Sequence, residues 1–317
     1  MNKIIRFYNQ NRRKIFITII IIAFLFALLQ LLDKSLEIKN RYESDNMSKV
    51  ENIENENILI SGKSISTGEK ISNLILQKDS KIIKKFIEYC NDKNLEEAYN
   101  LLTDECKEEM FPNINDFMNI YYMSFFNGET QYYTIENWSG NTYEINLVGD
   151  ILSTGKVNDM KNKQDYITIV KQKNDNYKIN INNYIGRIML NKQTESNNII
   201  INIESKDVYK DYEIYNISIS NNTNNIISLS MIEDYKAIYL LDENNMKYYF
   251  YNNEIIQNKL IIQNGFKNSL KIKFDNSYSS TKNIETLVFS KMILDYNEYK
   301  DLEDKTKYDF YVFKANI

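Results

Sequence analysis

Residues 81–112, KIIKKFIEYCNDKNLEEAYNLLTDECKEEMFP, place apolar side chains at helical spacing. One stripe comprises Ile82, Ile83, Phe86, Ile87 and Cys90, and a second comprises Leu95, Ala98, Tyr99, Leu101 and Leu102. Because residues three and four apart share a helix face, this pattern predicts short amphipathic helices. Thr103, followed by acidic residues, is typical of an N-cap, and Pro112 ends the helix that starts there. A further helix is predicted from Asn115 or Asp116.

The residues after Gly128 change to a period of two, which is typical of strands. Four segments carry this pattern: QYYTIENWS (131–139), TYEINLVGDIL (142–152), DYITIVKQ (165–172) and NYKININNYI (176–185). Asn174 and Asp175 form a predicted turn between the last two segments. Short helices followed by a meandering antiparallel sheet indicate an α+β domain, which we place at residues 81–190.

The order of these elements resembles a known family. The stretch FIEYCNDKNLEEAYNLLTDECKEEMFP (86–112), followed by several strands, is similar to the nuclear transport factor 2-like (NTF2-like) cone. The resemblance implies helices that pack into the hollow of a curved antiparallel sheet. That superfamily includes isomerases, dehydratases, scaffolds of transfer machines and binding modules, so the resemblance predicts a fold and does not select a function.

Residues 197–317 lose the helical spacing, and short candidate strands follow one another. In LKIKFD (270–275) apolar residues alternate with lysines, as in a sheet with one solvated face. Roughly seven or eight strands in about 120 residues indicate an all-β sandwich. The stretches YNISISNNTNNIISL (215–229) and IYLLDENNMKYYF (238–250) are similar to immunoglobulin-like domains on bacterial exported proteins, although the Cys–Trp–Cys hallmark of antibody domains is absent.

The segment upstream of the helices, residues 33–80, is polar and charged, with Tyr42 as its only aromatic residue. Such a segment buries too little apolar surface to offset the entropy of ordering, so we predict a flexible stalk. Before it, residues 15–32 contain only two polar side chains, Thr18 and Gln30. A helix of this length is roughly 27 Å long, about the thickness of the hydrocarbon core of a bilayer. The pattern predicts a transmembrane helix.

Residues 1–14 form a basic tail without acidic residues. Because positive charge favours the cytoplasmic side, we expect a single-pass protein with a cytoplasmic N-terminus and extracellular C-terminal domains. The apolar stretch is longer than the ~7–15 residues of a cleaved signal peptide and lacks an Ala-x-Ala site, which favours a retained signal anchor. The predicted partner of residues 15–32 is therefore the lipid bilayer, and the predicted location is the cell membrane.

The composition excludes several kinds of chemistry. The 317-residue chain holds no histidine, which removes His-based triads and the commonest zinc ligand. Its net charge is −4, and its lysines and arginines are dispersed after Lys14, so no basic face for nucleic acid is predicted. Abundant Asn, Ile, Lys and Tyr are typical of AT-rich codons, as in low-GC Gram-positive bacteria.

Two groups of residues are candidates for chemistry. Four acidic residues follow the predicted N-cap: Asp104, Glu105, Glu108 and Glu109. They form either a general acid–base site or a solvated helix start, and the helix dipole favours the second interpretation. Four aromatic residues are spaced to line a hollow in the predicted cone: Tyr99, Phe117, Tyr121 and Trp138. Aromatic residues at such spacings more often pack in a core, so this is the favoured interpretation.

Two further pairs have a chemical and a structural interpretation. Cys90 and Cys106 either form a disulfide in an oxidising compartment or are two small buried side chains, and we favour the second interpretation. Asp242 and Asn244 occupy positions of a calcium loop, but other residues stand where a further ligand and a glycine are required, so a hairpin turn is predicted. No catalytic, cofactor-binding or metal-binding residue is assigned, the ligand-binding residues stay unassigned, and no cofactor is expected.

The sequence leads to one principal functional hypothesis and two alternatives. The principal hypothesis is a non-enzymatic, membrane-anchored extracytoplasmic binding or scaffold protein of unspecified ligand, with envelope proteins as further partners. The first alternative is a structural subunit of a conjugation or type IV secretion-like envelope machine, because the order of tail, anchor, stalk and NTF2-like domain is similar to such scaffolds. The second alternative is an NTF2-like enzyme.

Overall fold

The computed structural model describes residues 63–149, 163–173, 176–231, 234, 236–251, 259–279 and 282–317. All of these residues belong to one compact unit. Strands hold 45% of the described residues and helices hold 23%. This part of the chain is therefore mostly β.

The helices come first in the described chain. They are α1 (Asn73–Asn91), α2 (Leu95–Asn100), α3 (Asp104–Met110), α4 (Ile114–Asp116), a π-helix (Phe117–Tyr122) and α5 (Met123–Phe125). Thr103 caps α3 as predicted, because its Oγ1 accepts a hydrogen bond of 3.0 Å from the backbone N–H of Cys106. Helix α3 ends at Met110, two residues before Pro112.

A first antiparallel sheet follows the helices. Its strands are β1 (Gln131–Ser139), β2 (Thr142–Gly149), β3 (Lys163–Lys171) and β4 (Tyr177–Asn180), in the order β1-β2-β3-β4. Apolar side chains from the helices and from this sheet form one core, which we call the first core; its members include Ile83, Phe86, Phe117, Ile145 and Ile179, each at most 1% exposed. The predicted meander of four strands is thus present in the structure.

The remaining strands surround a second core. They are β5 (Tyr184–Ser196), β6 (Ile199–Tyr209), β7 (Glu213–Asn221), β8 (Ile227–Ser228), β9 (Ile238–Asp242), β10 (Lys247–Tyr249), β11 (Ile261–Ile262), β12 (Lys267–Phe274), β13 (Ile284–Met292) and β14 (Tyr311–Asn316), with α6 (Tyr296–Asp301) and a 3₁₀ helix (Lys305–Lys307) before β14. They form two four-stranded sheets, β12-β7-β6-β5 and β10-β9-β13-β14, and a pair, β11-β8. The second core includes Ile201, Ile217, Leu240, Ile272 and Phe289.

Strand β5 links the two cores. Its first residue, Tyr184, is buried in the first core, whereas Leu190 packs against the second core. Asn197 and Asn198 connect β5 to β6 with φ angles of 51° and 59°, and Ser196 pairs with Ile199. This two-residue turn with both φ positive is the type I′ geometry of a tight hairpin. Strand β5 therefore spans the end of the predicted α+β domain and residues 191–196, which lie between the two predicted domains.

The predicted fold class is wrong. The sequence patterns predict an α+β protein with an N-terminal transmembrane helix, an NTF2-like cone and an immunoglobulin-like sandwich, whereas the described residues are mostly β. The physical reason is the length of the helices: α1 holds 19 residues, but each of the other described α-helices holds 7 or fewer. Nothing in the described fold identifies an NTF2-like or immunoglobulin-like domain specifically.

The membrane prediction is also corrected. In the part of the chain that the structure describes, no helix combines the length and the apolar composition needed to cross a bilayer. Helix α1 is long enough, but it is amphipathic and carries charged residues such as Lys81 and Lys85. The predicted basic tail, residues 1–14, and the predicted transmembrane segment, residues 15–32, lie outside the described residues. The predictions of a single-pass topology and of a cell-membrane location are corrected with it.

Candidate functional site

A turn at the start of the described chain is fixed against the end of strand β1. The backbone N–H groups of Ile65 and Ser66 donate hydrogen bonds of 2.9 and 3.0 Å to the carbonyl oxygens of Asn137 and Trp138. The Ser66 hydroxyl adds a bond of 2.7 Å to the same Trp138 oxygen. Gly68, at φ +70°, reverses the chain in the left-handed region that favours glycine. These residues fall within the predicted stalk, residues 33–80, and they form one wall of a cleft.

Trp138 forms the floor of this cleft. It is the only tryptophan in the chain, and its neighbours Asn137 and Ser139 are buried while Trp138 is half-buried. Because successive side chains of a strand point to opposite faces, this alternation directs the indole away from the core. The indole ring packs edge-on against Tyr166, with the centroids 5.1 Å apart, and at a tilt against Tyr278, with the centroids 5.5 Å apart.

Tyr278 forms the opposite wall. It lies in the loop after β12, and its backbone N–H donates a hydrogen bond of 2.9 Å to the carbonyl oxygen of Lys210. The resulting cavity has a volume of about 430 Å³ and is lined by Ser66, Thr67, Glu69, Trp138, Ser139, Tyr278 and Ser279. We call it the Trp138 cleft. Two aromatic rings, four hydroxyl-bearing Ser and Thr residues and one carboxylate surround it.

A smaller cavity adjoins the Trp138 cleft. Its volume is about 200 Å³, and it shares Tyr278 and Ser279 with the larger cavity. Its polar lining comprises Lys206, Glu213, Asn276 and Lys282, and its apolar lining includes Ile188 and Ile284. We call it the lysine pocket. The two cavities are neighbours, one with a hydroxyl-rich aromatic lining and the other with a cationic lining.

The acidic cluster predicted on α3 lies elsewhere. The structure places Asp104 and Glu105 at the exposed start of the helix, as the favoured interpretation predicts. Glu109 differs from that interpretation, because its side chain is only 9% exposed and lies 2.6 Å from the Lys271 ammonium. Glu108 accepts a hydrogen bond of 2.9 Å from Nη1 of Arg187. The cluster therefore joins helix α3 to the sheet of β5 and β12.

Arg187 is the centre of this connection. Its Nε donates to Oδ1 of Asp207 at 2.7 Å, and Asp207 is fully buried. The hydroxyl of Tyr184 donates to the same oxygen at 3.0 Å, and Nδ2 of Asn216 donates to Oδ2 at 2.8 Å. A buried carboxylate requires such partners, because an unpaired charge in the interior is costly. We call these residues, with Glu108 and Glu109, the Arg187 network.

Three of the four predicted aromatic residues pack with the first core. Tyr121 stacks on Phe117 at 5.7 Å between ring centroids and contacts Phe125 at 4.6 Å, while Tyr99 lies 5.9 Å from Phe117. The interpretation of these residues as core is thus confirmed for Tyr99, Phe117 and Tyr121. Trp138 instead lines a cavity.

Tyr121 also takes part in a buried acid–hydroxyl pair. Its hydroxyl donates to Oδ2 of Asp165 at 2.7 Å, and the backbone N–H groups of Tyr166, Asn182 and Asn183 donate to the same carboxylate. Burial raises the pKa of Asp165, although these hydrogen bonds act in the opposite direction. Aromatic rings surround Tyr121, and four donors hydrogen-bond to the carboxylate of Asp165. The pair therefore has the features of a contact that stabilises the fold.

The two remaining predictions concern the cysteines and the proposed calcium loop. Cys90 and Cys106 are free and fully buried, as the favoured interpretation predicts, and burial raises the pKa of the Cys106 thiol to about 12. Asp242 accepts hydrogen bonds of 2.9 Å from the N–H groups of Asn244 and Met246 in the β9–β10 turn. The hairpin interpretation is confirmed. Over the described ranges, no group of three or more metal-ligating side chains occurs.

The residues of the Trp138 cleft are those that the sequence analysis missed, apart from Trp138 itself. They come from the turn at residues 64–70, from β1 and from the loop after β12. The signal in the sequence is limited to Gly68 and to the polar run SYSS at residues 277–280, both of which predict turns. Comparisons of the chain with protein-family models, with curated proteins and with solved structures found no match, so its function has to be argued from this cleft.

Proposed function

We propose that this chain is a non-enzymatic binding protein whose Trp138 cleft holds a polyhydroxylated ligand such as a glycan. The observation that carries the proposal is the lining of the cleft, in which two aromatic side chains lie beside hydroxyl groups and a carboxylate. A cavity of about 430 Å³ falls within the size range typical of small-molecule sites.

The chemistry of a sugar fits this lining. The C–H face of a sugar ring is apolar and packs against an aromatic ring, while its hydroxyl groups need hydrogen-bond partners. Ser66 Oγ already donates to the Trp138 carbonyl at 2.7 Å, so its lone pairs accept from a ligand hydroxyl. The carboxylate of Glu69 provides further acceptors.

The hydrogen bonding of the buried carboxylates favours a binding function over a catalytic one. Asp165 accepts four hydrogen bonds, and Asp207 accepts from Arg187, Tyr184 and Asn216. Asp79 is buried and accepts from the Tyr143 hydroxyl at 2.7 Å. A general acid or base must reach the substrate. None of these three carboxylates lines the Trp138 cleft, and the carboxylate that does, that of Glu69, belongs to an exposed residue.

The test uses the single tryptophan as its own reporter. Soluble oligosaccharides are titrated into the full-length chain while the tryptophan fluorescence and the heat of binding are measured. We expect a ligand that changes the fluorescence on binding, and we expect Tyr278→Ala to weaken it about tenfold, which corresponds to ~1.4 kcal/mol.

The matched control is Tyr132→Ala, which removes a 39% exposed tyrosine of the same strand as Trp138 but outside the cleft. It should leave the affinity unchanged. Binding that is insensitive to Tyr278→Ala, or a panel in which no oligosaccharide alters the tryptophan fluorescence, would refute the proposal.

A further inference from the structure

The lysine pocket contains a cation whose hydrogen-bond acceptors are neutral groups. The Lys282 ammonium donates to Oδ1 of Asn276 at 2.6 Å and to the carbonyl oxygen of Ser277 at 3.1 Å. It also lies 4.4 Å from the centroid of the Tyr248 ring. Among the described residues, its hydrogen-bond acceptors are therefore both uncharged, and its position beside a cavity leaves it open to an anion.

The second cation of the pocket is held in place by a buried acid. The Lys206 ammonium lies 2.7 Å from Oε1 of Glu213, which is 5% exposed. The other oxygen of Glu213 accepts from the Tyr215 hydroxyl at 3.0 Å and from Nδ2 of Asn276 at 2.8 Å. Because three donors share the negative charge of Glu213, this carboxylate repels an incoming anion less than an unpaired one would.

Asn276 connects the two cations. It is 2% exposed, donates to Glu213 and accepts from Lys282, so one buried amide sets the positions of both groups. Burial lowers the pKa of Lys282, while the negative charges of Glu213 and Asp242 act in the opposite direction, as a bound anion would. The lining of the pocket therefore carries two positive charges and one negative charge, a net charge of +1.

We propose that the lysine pocket binds an anionic substituent, a carboxylate or a phosphate group, of the ligand whose sugar ring lies in the Trp138 cleft. This inference rests on the function proposed above and adds a ligand class to it: acidic glycans in preference to neutral ones. The shared lining by Tyr278 and Ser279 supports it, because one ligand can span both cavities.

The experiment compares probes that differ only in charge. Tetragalacturonate and its methyl ester are titrated against the full-length chain, with tryptophan fluorescence and calorimetry as readouts. Glucose 6-phosphate and glucose form a second pair, which distinguishes a carboxylate from a phosphate as the preferred anion. We expect the charged member of at least one pair to bind ten times more tightly or better, and this advantage to fall with added salt because screening weakens charge attraction.

Substitutions of single lysines test whether the preference for the charged probe arises in the lysine pocket. Lys282→Gln should abolish the advantage of the charged probe and leave the affinity for the neutral probe unchanged, whereas Lys282→Arg should retain most of it. Lys267→Gln, which changes an exposed lysine on β12, is the matched control and should have no effect. Lys282 is preferred to Lys206 as the test position, because loss of Lys206 leaves Glu213 buried without its cation.

The possible failures are distinguishable. If the charged and neutral probes bind equally and both alter the tryptophan fluorescence, the inference is overturned and the proposed function stands. The same conclusion follows if Lys282→Gln has no effect on a charged probe that does bind. If no glycan in the panel alters the tryptophan fluorescence, the proposed function fails and the inference fails with it.

Discussion

At the scale of single residues, Asp165 shows how a buried charge is stabilised. Its two oxygens accept one hydroxyl and three backbone N–H groups, so its loss affects more than one contact. The backbone donors of Asn182 and Asn183 belong to the turn before β5, where both residues have positive φ angles. The carboxylate thereby anchors the turn at which the chain passes from β4 into β5.

We predict that Asp165→Ala strongly destabilises the protein. The substitution leaves four donors in the interior without an acceptor, and each such donor costs about 1–3 kcal/mol, so a loss of at least ~3 kcal/mol in the free energy of unfolding is expected. Urea denaturation measures it. Tyr121→Phe is the control: it removes only one donor and should cost about 1 kcal/mol. Equal losses in the two variants would contradict the role given to the backbone donors.

At the scale of secondary-structure elements, the β5–β6 hairpin depends on its turn. Asn197 and Asn198 both adopt the left-handed conformation, which asparagine tolerates better than most residues. Five residue pairs, from Ser196 with Ile199 to Lys192 with Ile203, lie between this turn and the first register shift of the β5–β6 pairing. The turn therefore sets the register of the second half of β5.

Substitutions at Asn198 test this dependence. Asn198→Val should lower the free energy of unfolding by about 1–2 kcal/mol, because a β-branched side chain is strained at positive φ. Asn198→Gly should leave it unchanged or slightly higher, since Asn-Gly is the preferred type I′ pair. Urea denaturation of the two variants provides the comparison. If Gly and Val had the same effect, the backbone conformation of this position would not be the cause.

The elements differ in how well the sequence predicts them. Helix α3 is predictable because its cap, Thr103, and its stop signal, Pro112, are local. In β3 and β4 burial runs over consecutive residues, but β1 and β2 are predictable because their buried residues largely alternate with less buried ones. Strand β5 is not, because most of its side chains are exposed or half-buried, and its pairing with β6 defines it as a strand. The Trp138 cleft cannot be predicted from local sequence patterns either, because the segments that form it lie about 70 residues or more apart in the chain.

At the scale of the whole molecule, the Arg187 network connects helix α3 to the sheet that contains β5 and β6. It links Glu108 and Glu109 on α3 to Asp207 on β6 through one guanidinium group. Asp207 is fully buried, whereas the side chain of Glu108 is 69% exposed. The two ends of this network should therefore contribute very differently to stability.

We predict that Arg187→Ala lowers the free energy of unfolding by about 3 kcal/mol, because it leaves Asp207 without its cation in the interior. Glu108→Gln is the matched control and should cost less than ~1 kcal/mol, since its ion pair is solvated. Denaturation is followed by tryptophan fluorescence, which reports the surroundings of Trp138, and by circular dichroism, which reports all strands. The two curves should coincide in the unsubstituted protein. An Arg187→Ala effect no larger than that of Glu108→Gln would contradict this assignment.

The many buried tyrosines predict a loss of stability at high pH. Burial raises the pKa of Tyr133 to about 12, and it also raises the pKa values of Tyr121, Tyr143, Tyr184, Tyr209 and Tyr215. An unfolded tyrosine ionises near pH 10. Since the folded pKa exceeds the unfolded one, the stabilising contribution is complete below about pH 10 and is lost as the pH rises towards the folded values.

Alkaline titration tests this prediction. Ultraviolet absorbance of tyrosinate and circular dichroism are recorded together as the pH is raised. We expect a large share of the tyrosines to ionise in one cooperative step that coincides with unfolding. Gradual ionisation of all tyrosines near pH 10, with the fold intact, would show that these hydroxyls are accessible to solvent.

The position of β5 between the two cores limits where the chain can be divided into fragments. Its first residue belongs to one core and Leu190 packs on the other, so a gene break or a recombination event between codons 184 and 199 would cut through a paired strand. Each fragment would then display a row of unsatisfied peptide groups along a newly exposed strand edge, a template for aggregation. The two halves are therefore expected to be inherited, expressed and purified only as one piece.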